Sequence, residues 1–150
     1  MIVFGNKVSG QDAVKGLMYI EKPLYSRYGM LFDMGPSKIN SMWMKNTYIP
    51  LDIIFLDENM NIVGYKENNI PHSLKQIKIT KVSRYVLEMN SGSVEGNNLN
   101  INDKIYFINI KWIIIFLLIF SIFFIINIYI NEHIDKSKNS GGKRERKTKN

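Results

Sequence analysis

The sequence predicts a mainly β domain, a compact β-sandwich or small barrel with one short helix, followed by a C-terminal transmembrane helix. Two observations carry this. Residues 1–111 contain several short apolar runs separated by clusters of Gly, Pro, Asn, Asp and Ser, whereas residues 112–130 contain no charge. Short strands alternating with turns build sandwiches and barrels. The uncharged run of 19 residues would span roughly 28 Å as a helix, close to the ~30 Å hydrocarbon thickness of a bilayer.

Taken in order, a first short strand leads into "SGQDAVKGLMY". Ser9 is placed there as an N-cap with Asp12 three residues on, and Ala13, Val14, Leu17 and Met18 fall at helical spacing. Tyr28 to Met34, "YGMLFDM", reads as a strand closing at "GPS". Trp43 and Met44 enter a strand expected to end near "NTYIP", because Pro50 lacks a ladder donor and pushes Ile49 into an extended shape. Leu51 to Leu56 then carries apolar groups on both faces, which predicts a central strand. "DENMN" is a turn cluster and "IVGYKE" the returning hairpin arm. "RYVLEMN", Arg84 to Asn90, is a strand with Glu88 in its middle, "SGSVEGNNLNIND" a loop, and "KIYFINI" the last strand.

The last strand runs into Lys111 and Trp112 without a Gly, Ser or Pro linker, so the domain is expected to sit against a membrane surface. Trp112 and Tyr129 lie near the two ends of the apolar run, where aromatic rings favour the lipid–water boundary. A helix apolar on every face could otherwise be buried only inside a much larger protein than this one. "MIVFGNKVSG" at the N-terminus lacks the apolar run of a secretory signal. The expectation is a single-pass membrane protein with a C-terminal anchor. Its orientation stays open, since the basic tail favours a cytosolic C-terminus while a signal-less chain with its anchor last keeps its N-terminal domain cytosolic. Residues 131–150 read as a disordered basic tail, ending in "KSKNSGGKRERKTKN" without an apolar side chain to bury. That tail either touches anionic lipid heads or only fixes topology.

The net charge of +7 divides unevenly, with 13 basic and 10 acidic side chains up to Lys111 but 7 and 3 after Ile130. The globular part is only mildly basic, and no nucleic acid is expected as a partner. Zero cysteines remove disulfides, thiolate zinc sites and Cys nucleophiles. His72 stands alone in the domain, and Met18, Met30, Met34, Met42, Met44, Met60 and Met89 follow no repeated spacing, so neither metal nor cofactor is expected.

"KGLMY", "GMLF", "WMKNTYIPLDIIFLD" and "YVLEMNSG" occur in an order and spacing that resembles the uncharacterised family catalogued as domain of unknown function 192, over roughly residues 2 to 107. The resemblance implies a compact β-sandwich or barrel-like domain, with many relatives carrying export signals or lipoprotein anchors, and no established activity. This chain has Ile20 where many relatives place Arg, and Asn102 where a Gly usually precedes Asp103. Asn tolerates a left-handed turn. The missing Arg leaves any carboxylate it held in relatives without that partner.

The candidate ligand-binding residues are Trp43, Lys45, Asn46, Asp52 and Glu88. In one arrangement, Asp52 and Glu88 face each other across strands and divide acid and base roles, with Lys45 and Asn46 binding an oxyanion. In the favoured one, Lys45 pairs with one of the carboxylates, Asn46 satisfies strand-end backbone, and no reaction is catalysed. Trp43, Tyr48 and Tyr85 either line a groove for sugar or peptide or belong to the core. The expectation is a membrane-anchored, non-catalytic binding or accessory module, with a small acid/base enzyme as the alternative.

Overall fold

The computed structural model describes residues 1–145. In chain order these form β1 (Ile2–Val8), α1 (Gly10–Lys15), β2 (Tyr28–Lys38), β3 (Ser41–Met42), β4 (Leu51–Leu56), β5 (Ile62–Asn69), β6 (Ile77–Lys78), β7 (Ser83–Asn90), α2 (Ser93–Gly96), β8 (Tyr106–Asn109) and α3 (Ile110–Glu145). The fold is sheet-dominated, as the sequence predicts. Six strands make one mixed sheet in the order β5-β4-β7-β2-β1-β8, and β3 pairs with β6 in a second, two-stranded sheet. β1 runs parallel to both β2 and β8, while β7 runs antiparallel to β2 and β4.

All six side chains of β4 are buried, so both faces of the large sheet must be covered. Side chains alternate along a strand, and β4 divides accordingly. Ile54 and Leu56 join Val3, Leu31, Leu87, Met89, Val94, Leu99 and Ile105 in one core, on the face that α2 and its loop cover. Leu51, Ile53 and Phe55 join Leu17, Phe32, Met44, Ile49, Ile77 and Val86 in the other, beneath α1 and the segment after β3.

The turn after β4 is tied by Asp57, whose carboxylate accepts the Asn59 and Asn61 backbone N–H groups, each at 2.8 Å. Asn102 adopts φ 74°, a left-handed turn that Asn tolerates. The expected strand from Trp43 to Pro50 is not formed. Only Ser41–Met42 is strand, and the chain then turns, with Asn46 at φ 54°. A left-handed residue cannot continue a ladder. The segment is held instead by backbone bonds from Met44 N to Ser73 O, from His72 N to Thr47 O and from Tyr19 N to Asn46 O.

The chain divides into a unit ending at Ile110 and another beginning at Lys111. Residues Ile110–Ile134 of α3, all but the first of them in the second unit, are long and apolar enough to cross a membrane, with a mean hydropathy of 3.0 over the most apolar stretch. The helix continues to Glu145, past Ile130 where the sequence suggested a disordered tail. Each residue added to an existing helix closes another backbone hydrogen bond, which favours propagation. The expectation for the last five residues lies outside the described residues.

Gly5 faces Gly29 across the parallel β1–β2 pair, and a Cβ on Gly5 would fall 1.7 Å from the Gly29 carbonyl oxygen. We expect Gly5→Ala to cost about 3 kcal/mol or more by forcing these strands apart. Gly96→Ala, where a Cβ meets nothing within 4 Å, should stay within about 1 kcal/mol of wild type. Thermal melts of the two variants in detergent check both values.

Candidate functional site

The register of β4 against β7 decides how the two mid-strand carboxylates are used. Asp52 lies opposite Met89, and Glu88 opposite Ile53. Met89 belongs to one core and Ile53 to the other. Directly opposed residues share a face and successive ones alternate, so Asp52 and Glu88 project from opposite faces of the sheet. The pair cannot share a cleft, and the acid/base arrangement is not formed.

Asp52 is fully buried and fully used. One carboxylate oxygen accepts the Asn68 N–H at 2.9 Å and the other accepts the Val94 N–H at 2.9 Å. It thereby ties the end of β5 and the first turn of α2 to the central strand. Glu88 is also buried, with 5% of its surface exposed, and no hydrogen bond or ion pair from the protein reaches its carboxyl among the described residues; the fully enclosed side-chain atom left without a partner is Asn40 Oδ1, not a Glu88 oxygen. Burial alone pushes the Glu88 carboxyl up to about 8. At neutral pH the folded chain therefore holds Glu88 mainly as a neutral acid with an O–H to donate.

Glu88 lines a small cavity of about 30 Å³, together with Thr47, Phe32, Met42, Trp43 and residues of α1 and the turn after it. Such a volume accommodates about one water-sized group. Ala13, Val14, Phe32, Met42 and Trp43 also line a wider, mostly apolar groove of about 490 Å³, which extends to Gly10, Met34, Ser41 and Gln76. The groove and the cavity thus share five lining residues, with the half-exposed Trp43 indole among them. The arrangement is an aromatic-walled groove with a buried acid beside its floor.

Lys45 pairs with neither carboxylate. It is exposed, and its Nζ lies 5.2 Å from the centre of the Trp43 ring, a cation–π contact. Asn46 donates from its side-chain amide to the Tyr19 hydroxyl at 2.8 Å and serves as a turn residue rather than a strand-end stitch. Among the three aromatic candidates, only Trp43 lines the groove. Tyr48 packs against Tyr19 and His72 on the surface, and Tyr85 packs against the opposite core. Of the seven methionines singled out, Met30, Met34, Met42 and Met44 pack in one core and Met60 and Met89 in the other, while Met18 belongs to neither.

Sequence reasoning missed Phe32, Met42, Ala13, Val14 and Thr47 as lining residues. The α1 sequence pattern already placed Ala13 and Val14 together, but their opposition to Trp43 arises from packing.

These features define a small mixed-sheet β domain with an open groove on one face. The chain belongs to the DUF192 family, described as Uncharacterized ACR, whose model matches residues 8–107. It is similar to a protein from Sinorhizobium meliloti 1021 whose name proposes a transcription regulator, with 36% identity over 67% of this chain and 78% of that one and a TM-score of 0.64. A protein of unknown function from Novosphingobium aromaticivorans DSM 12444 is 29% identical over 67% of this chain and 71% of its own, with a TM-score of 0.63. None of the curated proteins matches.

The two carboxyls should respond oppositely to substitution. Asp52→Ala leaves two backbone N–H groups unpaired and should cost about 3 kcal/mol, with faster amide exchange at Asn68 and Val94. Glu88 is raised from its ordinary 4.5 to about 8, so its contribution is fully favourable below pH 4.5 and is lost as pH rises toward 8. The slope approaches ~1.4 kcal/mol per pH unit for one proton. Glu88→Gln should flatten this decline in thermal melts across that interval.

Proposed function

We propose that this protein is a membrane-anchored, non-catalytic binding module, with α3 as the anchor and the Trp43 groove as the ligand site. The observation that carries the ligand site is the Glu88 carboxyl, which no protein group hydrogen-bonds and which lines a cavity that shares its walls with an open apolar groove. A carboxyl that lacks a protein partner in a mostly dry site is poorly satisfied. A ligand that accepts its hydrogen bond improves on that state when it binds.

The groove also defines the kind of ligand. Phe32, Met34, Met42 and Trp43 offer apolar and aromatic surface, which suits a hydrocarbon or ring body. The cavity beside Glu88 admits only a small head, and the protonated acid offers it a donor. A neutral, largely apolar molecule ending in a compact acceptor such as a hydroxyl or amide carbonyl meets both conditions. The anchoring half of the proposal rests on the length and hydropathy of Ile110–Ile134. Lys45 above the Trp43 ring stiffens the outer wall.

Thermal-shift titration of the full chain in detergent with short alkyl alcohols and amides, beside sugars and peptides, tests the site. We expect the alkyl amides to raise the melting temperature of the wild type. Trp43→Ala should weaken that response by roughly tenfold in affinity, the loss of about 1.4 kcal/mol of contact. Glu88→Leu should abolish the preference for compounds with an acceptor head. If no compound shifts the melt, or both variants respond as the wild type does, the binding-module reading fails.

A further inference from the structure

A second apolar surface lies on the β1–β8 edge of the large sheet. The parallel register sets Ile2 beside Tyr106 and Phe4 beside Ile108, so these four side chains share one face. All are exposed, at 46%, 58%, 39% and 37% respectively. The alternate positions point the other way, with Val3 in the core and Phe107 packed against it. Nothing else in the globular unit covers this patch, although the neighbouring strands on the same face are roofed by α1 and the segment after β3.

Chain connectivity limits where the patch can be. Ile108 precedes Trp112 by four residues, and a fully extended chain covers at most about 14 Å over that distance. The polar headgroup layer of a bilayer is itself roughly 5–7 Å deep on each side. With Trp112 at the start of an apolar span, Ile108 is held within about 14 Å of the hydrocarbon boundary, which makes β8 the strand the chain tethers most closely to the membrane interface. The surroundings suit that position. Arg27 and Lys104 line a shallow, mainly polar groove that begins at Met1 and Ile2 and runs toward the α2 loop, where Asn97, Leu99 and Asp103 complete it. Both cations are exposed, which favours anionic headgroups beside an apolar insertion.

We infer that the Ile2–Phe4–Tyr106–Ile108 patch rests in the lipid interface, so that the domain docks on the bilayer through one sheet face instead of standing clear of it. The inference depends on the anchoring reading above and goes beyond it by naming the contacting face. Tyr and Phe rings suit the boundary between headgroups and acyl chains, and insertion removes from water a patch that the fold leaves bare.

The absence of cysteine makes single-site labelling clean. Full-length Phe4→Cys, Ile108→Cys, Glu67→Cys and Phe120→Cys variants would carry one fluorophore each, with Glu67 on β5 at the opposite edge of the sheet. They would be reconstituted at one copy per lipid nanodisc containing phosphatidylcholine and phosphatidylserine, then challenged with aqueous iodide or nitroxide-labelled lipid. We expect labels at positions 4 and 108 to show a severalfold loss of iodide quenching and a severalfold gain of lipid quenching relative to position 67. Position 120 should be quenched by lipid alone. If position 120 is lipid-quenched while positions 4 and 108 behave like 67, the docking face is wrong and the anchor stands. If position 120 itself is open to iodide, the anchor reading fails and the docking inference falls with it. Protection at 4 and 108 that appears only in liposomes holding many copies would assign the patch to a second copy of the chain and overturn the lipid assignment.

Discussion

A strand buried on both faces needs two covers, and β4 imposes that requirement on the whole domain. Its six enclosed side chains divide the apolar residues into two cores. α2 and the loop toward β8 are drawn over one, and α1 with the segment after β3 over the other. Burying a Leu, Ile or Phe side chain is worth about 1.5–3 kcal/mol, so five such residues on one short strand outweigh the local preferences of the segments that cover them. The covering pieces are correspondingly short or irregular. α1 has six residues and α2 four, lengths too small for either helix to be stable without the sheet beneath it.

The two carboxyls show how the same chemistry takes different roles under this constraint. Asp52 occupies a position where two backbone donors converge, and its burial is offset by two charge-assisted hydrogen bonds. Glu88 belongs to the neighbouring strand, one register step away and on the other face, where nothing converges. It meets burial by holding its proton. One acid is thereby a fastener between strand, loop and helix, while the other is a neutral acid beside a groove. Packing density works against leaving such a group idle, since a Leu would fill the same space without the polar cost.

Much of this was legible in the residues themselves. The two-sided apolar run of Leu51–Leu56, the Asp57–Asn61 turn and the alternation of Arg84–Asn90 are local patterns that tertiary packing reinforced. The segment Trp43–Pro50 was not legible, because Trp43, Met44, Tyr48 and Ile49 carry the composition of a strand while Asn46 takes a left-handed turn. Its bonds run to Tyr19, Ser73 and His72, partners that no local window contains. Glu88 and Asp52 were correctly picked out as mid-strand carboxyls, but their faces depend on register. A shift of one residue exchanges the two faces of a strand, and the sequence does not number its partners. Lys45 was expected beside a carboxylate and instead lies over Trp43.

The groove and the bare patch also share a face. Phe4 pairs with Tyr28 and Val8 with Phe32 across β1 and β2, while Met30 pairs with Glu88 across β2 and β7. Even-numbered positions on all three strands therefore point to the side that holds Phe4, Phe32 and Glu88. α1 and the segment after β3 cover this side only in part, leaving the Trp43 groove at their margin and the β1–β8 patch beyond them. A largely apolar ligand concentrates in a bilayer rather than in water. If the patch docks on lipid, the face that carries the groove is the one turned toward the richest source of such a ligand, and anchoring and binding become two uses of one partly covered sheet.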